Sequence, residues 1–262
     1  MPRVLILGGS SEAYQLAEIL AADLDVVTAL AGVTRVRRAP AGRLRVGGFG
    51  GAPGLAAYVA QEGIAAIVDA THPFATQMSR NAAEAAAEAR VPCLHLVRPA
   101  WTPQPGEGGT PGRGCAPGER WIEVAGMAEA ADAIPAGASP TFLTVGRTEL
   151  GPFARRRDLA FVARVIDPPP ELGFTRLTLI FGRGPFAYEA ERRLLEAHGI
   201  RCLVTKNSGG SRAKLDAAHD LGIPVVMVRR PAPPDGDVAT SVEQALAWLE
   251  ARLGLEALAG RA

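Results

Sequence analysis

DATHPFATQMSRNAAEAAAEARVPCLHLVRP, residues 69–99, and LVTKNSGGSRAKLDAAHDLGIPVVMVRRP, residues 203–231, are two versions of one pattern. Each opens on a short strand, turns through a polar Thr-centred loop, continues as an Ala-rich helix and closes on a β-branched strand running into an Arg-Pro end. Any two strand–helix–strand units share that outline; the common ending is what favours duplication. Self-similarity of this kind implies two related lobes with a crevice between them. In open parallel sheets, ligands sit at the carboxyl ends of the strands.

Working outward from the pair, strands and helices alternate along the chain. Strands are expected at Val4–Leu7, Val26–Leu30, Leu44–Val46, Ala66–Ala70 and Cys93–Val97, with helices near Ser11–Ala22, Gly54–Glu62 and Thr76–Ala89. Further strands are expected at Trp121–Val124, Thr141–Val145, Ala160–Val165, Leu177–Ile180, Cys202–Val204 and Val225–Val228. Their helices are Met127–Ala133, Glu149–Arg155, Ala187–His198, Ser211–Leu221 and Ser241–Leu253. Unbroken apolar strands between amphipathic helices point to parallel sheets covered on both faces. The fold class is therefore α/β: two Rossmann-like lobes with parallel sheets flanked by helices. Residues 1–100 form the first lobe and 121–262 the second, whose last helix packs on either lobe. The stretch 101–120, rich in proline and glycine, is a linker or long surface loop.

With 28 basic and 27 acidic residues the net charge is +1, which argues against a nucleic-acid or membrane-surface partner. Only Lys206 and Lys214 are lysines; a GC-rich coding sequence accounts for most of that bias, though arginine also suits bidentate recognition of carboxylates and phosphates. Cys93, Cys115 and Cys202 are far apart and give neither a zinc motif nor a disulfide framework, so a reducing compartment is expected. No leader pattern and no span of about 20 apolar residues occurs, which leads us to expect a cytoplasmic protein.

The chemistry is expected at the strand ends. Gly8-Gly9-Ser10-Ser11-Glu12-Ala13 follows the first strand and opens a helix. It matches the dinucleotide fingerprint at Gly8 and Ala13 but has Ser10 in place of the second glycine. Backbone amides and a helix dipole at such a turn hold a pyrophosphate; the bland alternative is a tight turn without a ligand. An NAD-preferring site places Asp or Glu at the end of the second strand. Here the run is Ala31-Gly32-Val33-Thr34-Arg35, and Thr34 and Arg35, backed by Arg37 and Arg38, suit a 2′-phosphate. The alternative for these arginines is a solvated loop face. Gly47, Gly48 and Phe49 end the third strand, where a flat ligand approaches closely or the chain simply turns. Thr71 and His72 end the fourth; His72 lacks a metal-binding partner motif and is either functional or bonded to its own loop. In the second lobe, the loops containing Arg147 and Thr148, Arg183 and Gly184, and Lys206, Asn207, Ser208 and Gly209 gather cations, hydroxyls and open amides suited to carboxylates or phosphate. No Ser-His-acid order, HExxH or P-loop occurs, which leaves hydrolase and kinase readings without support.

Together these motifs resemble the precorrin-6A reductase family of cobalamin biosynthesis, over nearly the whole chain. The carriers are LILGGSSEAYQLA (5–17), GGFGGAPGLAAYV (47–59), DATHPFATQMSRNAA (69–83), FLTVGRTEL (142–150), RVIDPP (164–169), FGRGPFAYEAE (181–191), TKNSGG (205–210) and IPVVMVRRP (223–231). The order DATHPFA, GRGPF, TKNSGG is the most specific feature. AGVTR matches the family only loosely, and 102–120 is not part of its signature.

The resemblance implies NADPH-dependent reduction of one double bond in precorrin-6A, a carboxylate-rich tetrapyrrole, to precorrin-6B, with hydride passing to a ring carbon and a proton to its neighbour. On that reading Gly8, Gly9, Ser10, Ser11 and Glu12 hold the pyrophosphate, and Gly32, Thr34 and Arg35 the ribose phosphate. Gly47, Gly48, Phe49, Thr71 and His72 line the nicotinamide end. Arg147, Thr148, Arg183, Gly184, Lys206, Asn207, Ser208 and Gly209 dock the macrocycle, and His72, Lys206 or water delivers the proton. A monomer without a metal is expected. The competing readings are the cobalt-precorrin-6A reductase of the oxygen-independent pathway and a non-catalytic NADPH-binding sensor.

Overall fold

Strands with no polar face have to be buried on both sides, and Val4, Leu5, Ile6 and Leu7 are all buried. The computed structural model describes residues 1–32, 39–103 and 121–255. Along the chain come β1 (Arg3–Leu7), α1 (Ser11–Leu20), β2 (Asp25–Leu30), β3 (Arg43–Val46), α2 (Gly51–Glu62), β4 (Ile64–Asp69), α3 (Thr76–Ala89) and β5 (Cys93–Leu96). β6 (Trp121–Val124), α4 (Met127–Ala133) and β7 (Thr141–Thr144) follow, then two short 3-10 turns, Arg147–Glu149 and Gly151–Arg155. The chain continues through β8 (Phe161–Val165), β9 (Leu177–Phe181), α5 (Tyr188–Ala197), β10 (Cys202–Lys206), α6 (Ala213–Asp220), β11 (Val225–Val228), β12 (Asp237–Ala239) and α7 (Val242–Leu253).

Two compact units result. Residues 1–99 and the chain from Pro231 onward form unit 1, and Ala100–Arg230 form unit 2. Expected stretch 101–120, from residue 104 on, lies outside the described residues, as do Thr34 and Arg35. The second lobe thus ends at Arg230 and not at the end of the chain, and the last helix packs on the first of the two lobes open to it. The reason is that β12 adds to the free edge of β5, and α7 buries Val242, Ala245, Leu246 and Leu249 against α1 and the strands of unit 1. Helix α1 and α7 cover one face of this sheet; α2 and α3 cover the other, where Ala82, Ala85 and Ala86 let α3 pack closely.

Both sheets are six-stranded and every pairing is parallel. Unit 1 runs β12-β5-β4-β1-β2-β3 and unit 2 runs β6-β11-β10-β7-β8-β9. Counted from their central strands β1 and β7, the two have one order, that of the doubly wound dinucleotide-binding fold. The match extends to single residues. Leu7 lies beside Asp69, and Thr144 beside Thr205; Asp69 lies beside His95, and Thr205 beside Met227. Gly47 N–H donates to Leu30 O at 2.9 Å, and Gly182 N–H to Val165 O at 3.0 Å. The register also corrects the sequence match: Thr205 corresponds to Asp69, so Thr71 corresponds to Asn207 and the two threonines are not equivalent.

The sixth strands are exchanged. After β5, the fifth strand of unit 1, the chain supplies the sixth strand of unit 2; after β11, the fifth of unit 2, it supplies the sixth of unit 1. Each exchanged strand leads into a helix whose third residue reaches back to the backbone. Glu129 accepts from Ala125 N–H at 3.0 Å, and Gln244 from Thr240 N–H at 2.8 Å, so the amide just before the N-cap is satisfied in the same way in both.

One expected helix is absent. Glu149–Arg155 is two 3-10 turns because Pro152 has no N–H and its ring would clash with the carbonyl four residues earlier in a continuous helix. Phe153 from the second turn packs edge-on to Phe161 at 6.2 Å. The neighbouring residue Val162 faces the α5 and α6 side with Phe142, Leu203 and Met227, as strand alternation requires.

Candidate active site

In unit 1 the strand order reverses between β1 and β4, and a crevice opens at their carboxyl ends. Gly8 lies there because a Cβ would stand 2.9 Å from Thr28 Cγ2 and 3.0 Å from Leu30 Cδ2. Gly9 has φ +134° and open space where a Cβ would point, so the turn is uncovered toward a ligand. Ser10 is the N-cap of α1: its Oγ accepts from Ala13 N–H at 3.2 Å and donates to Ala70 O at 2.7 Å. One hydroxyl therefore caps the helix and ties its start to the end of β4. Ser11 is exposed and donates to Glu12. Burial raises the Glu12 pKa, but its own backbone amide, Arg98 and Ser11 outweigh it and hold the carboxyl below its usual range. Its carboxylate lies 3.3 Å from Arg98.

The end of β4 holds a buried polar pair that the sequence reading missed. Asp69 Oδ2 lies 2.9 Å from His95 Nδ1, with both side chains almost fully buried. Asp69 Oδ1 accepts from Thr71 N–H at 3.2 Å and Thr71 Oγ1 at 2.7 Å. Desolvation raises the Asp69 pKa, yet the hydrogen bonds from His95, Ser79 and Thr71 more than offset it and the net shift is downward. Thr71 is thus oriented by Asp69. His72 accepts from Phe74 N–H at its Nδ1, 3.3 Å, and its ring lies against Phe74; in the neutral ring the proton then sits on Nε2.

At the other side of β1, β2 ends in Leu30-Ala31-Gly32, with Gly32 at φ +74° and no carboxylate. Gly47, Gly48 and Phe49 follow β3. They were expected to line the nicotinamide end together with Thr71 and His72. β2 and β1 lie between β3 and β4, so the two loops stand on strand ends about 14 Å apart at the usual spacing. Arg45, also missed, donates to Gly47 O at 2.6 Å and Gly48 O at 3.0 Å, and its guanidinium lies 3.8 Å from the Phe49 ring centre.

Unit 2 repeats the arrangement with different side chains. Gly146, at φ +108°, corresponds to Gly9 and Glu149 to Glu12. Lys206 Nζ donates to Glu149 Oε2 at 2.5 Å, Arg147 donates to Pro168 O, and Thr148 is exposed. Asn207 is used differently from expectation: its amide accepts from Trp101 N–H at 2.8 Å and donates to Trp101 O at 2.9 Å, so it fastens the chain rather than facing a ligand. Trp101 Nε1 donates to Gly210 O, and Arg230 to Asn207 O, so the Lys206–Gly210 loop carrying Ser208 and Gly209 is held from both sides. The loop of Arg183 and Gly184 is anchored by Arg164, which pairs bidentately with buried Glu191 and stacks 3.7 Å from Phe186.

Burial pushes the Cys93 and Cys202 thiols up to about 12, which removes both as nucleophiles at neutral pH. Among the described residues, no group of three His, Cys, Asp or Glu side chains is placed to hold a metal, and no helix is long and apolar enough to cross a membrane.

The family profile described as Precorrin-6x reductase CbiJ/CobK matches residues 3–250. The chain belongs to that family. A precorrin-6A reductase of Rhodococcus erythropolis is 46% identical over 95% of this chain and 98% of its own length. One of Rhodobacter capsulatus is 37% identical over 95% and 96%, and a cobalt-precorrin-6A reductase of Priestia megaterium is 29% identical over 92% and 95%. The solved structure titled CobK precorrin-6A reductase superposes with a TM-score of 0.87 at 36% identity, covering 96% of this chain and 97% of that one. Family membership makes the protein a reductase of cobalamin biosynthesis, and two parallel-sheet lobes are the architecture of its relative.

Proposed function

We propose that the protein reduces one carbon–carbon double bond of precorrin-6A with NADPH, giving precorrin-6B, as a cytoplasmic monomer. One observation carries the cofactor reading: unit 1 has the dinucleotide-binding strand order, an uncovered Gly8-Gly9-Ser10 turn at its reversal point, and no carboxylate at the end of β2. NADPH, when bound, supplies the hydride. Gly9 admits the pyrophosphate beside the backbone, while Ser10 fixes the turn to β4. Thr71 and His72, beyond β4, face the nicotinamide half. Arg147, Arg183, Lys206, Ser208 and Gly209 meet the carboxylates of the macrocycle, and His72 or Lys206 delivers the proton.

The identities favour the cobalt-free substrate, since the relatives named for it match at 37% and above and the Priestia megaterium relative at 29%. NADPH oxidation with cobalt-free precorrin-6A, run beside its cobalt complex, tests this. Turnover of the cobalt complex alone, or NADPH binding without oxidation by either compound, overturns it. For the lobe assignment, Lys206→Ala is expected to lower kcat/KM about tenfold, the value of one partly exposed charge contact, with NADPH affinity unchanged. Collapse of NADPH binding in that variant reverses the lobes.

A further inference from the structure

We infer that Arg45 pairs with the 2′-phosphate of the cofactor; this rests on reading unit 1 as the NADPH lobe. Three observations carry it. The first is position: Gly47 N–H is bonded to Leu30 O, and a Cβ on Gly32 would touch Val46 at 3.0 Å. The β3 turn therefore lies directly beside the end of β2, where this fold recognises the adenosine ribose. The second is preorganisation. The guanidinium is held by two backbone carbonyls and by the faces of Phe49 at 3.8 Å and Tyr58 at 5.1 Å, so little side-chain entropy remains to be lost on pairing.

The third is charge. Arg43, two residues earlier on the same strand, is paired with Asp25 and Glu62. Arg45 has no carboxylate partner among the described residues; carbonyls and rings are its contacts. A half-buried guanidinium, stacked and oriented but not neutralised, matches a dianionic phosphate. The adjacent β2 end, lacking an acid, would not repel that phosphate. Phe49 then acts as the platform that keeps the cation in place.

The test is titration of full-length wild type, Arg45→Ala, Arg45→Gln and Arg45→Lys with NADPH, NADH and 2′-AMP, with circular dichroism confirming the fold. Arg45→Gln keeps an amide donor for the turn carbonyls, so it separates charge from loop structure. We expect NADPH and 2′-AMP affinity to fall tenfold to a hundredfold in Arg45→Ala and Arg45→Gln, about the worth of one charge-assisted contact. NADH affinity should stay within twofold, and Arg45→Lys should lie between. Equal losses for NADPH and NADH would mean that Arg45 only clamps its turn, and unchanged NADPH affinity would also overturn the inference. Wild type that binds neither dinucleotide overturns the NADPH-lobe reading itself, whereas wild type that prefers NADPH and variants that keep the preference overturn only Arg45.

Discussion

Asp69 and His95 form a buried hydrogen-bonded pair across β4 and β5, and unit 2 shows what the fold does without them. At the same register stand Thr205 and Met227, both buried. The architecture therefore accepts Thr and Met here, and Asp69 with His95 stands in the unit that carries Thr71 and His72. His95→Met alone strands a buried carboxylate and is expected to cost roughly 3 kcal/mol in urea unfolding. The double replacement Asp69→Thr with His95→Met is expected to recover most of that stability while leaving Thr71 unheld and cofactor binding weaker. Acid titration gives the sign. The folded-state pKa of Asp69 lies below its unfolded value of about 3.9, so its contribution is present above that value and is lost as pH falls through the depressed one. The stability gap between wild type and Asp69→Asn should accordingly shrink on acidification below about pH 4; a gap independent of pH would remove the carboxylate from the account.

Among the elements, α2 is the one whose seat matters for the site. Its Gly54 packs so closely that a Cβ would stand 1.8 Å from the carbonyl oxygen of Phe49. Gly54→Ala should displace that carbonyl, cost about 1–3 kcal/mol as overpacking does, and weaken NADPH binding through the shifted turn; thermal unfolding and a cofactor titration read both. Sequence reasoning found the strands and most helices because their apolar runs and alanine spacing are local signals. It missed β12, three residues after a proline-rich run with Val238 exposed, because pairing to β5 and not composition makes it a strand. The same limit applies to the site. The glycine turns were legible, whereas Asp69–His95, Arg164–Glu191 and Asn207–Trp101 join residues 26, 27 and 106 positions apart. Sheet register brings the first pair together, packing of α5 on its strand the second, and docking of the Trp101 segment on the loop after β10 the third. Arg45 is only two residues from Gly47, but nothing in the sequence says that its guanidinium folds back onto the turn.

For the whole molecule, the exchanged sixth strands decide which parts stand alone. Residues 100–230 hold every strand of unit 2 in one continuous stretch, whereas unit 1 needs both ends of the chain. A chain stopped after Arg230 should give a protease-resistant core from unit 2 and a digested first hundred residues, because α7 and its buried Val242, Ala245, Leu246 and Leu249 are gone. Protection of both regions would mean that five strands suffice for unit 1. On the ribosome this connectivity inverts the usual order, in which the N-terminal part folds first. β5 is made more than a hundred residues before β12. At about 5–20 residues per second the growing chain waits on the order of ten seconds with that apolar edge open. Synonymous slow codons between positions 100 and 230 would lengthen the wait and lower soluble yield without changing an amino acid.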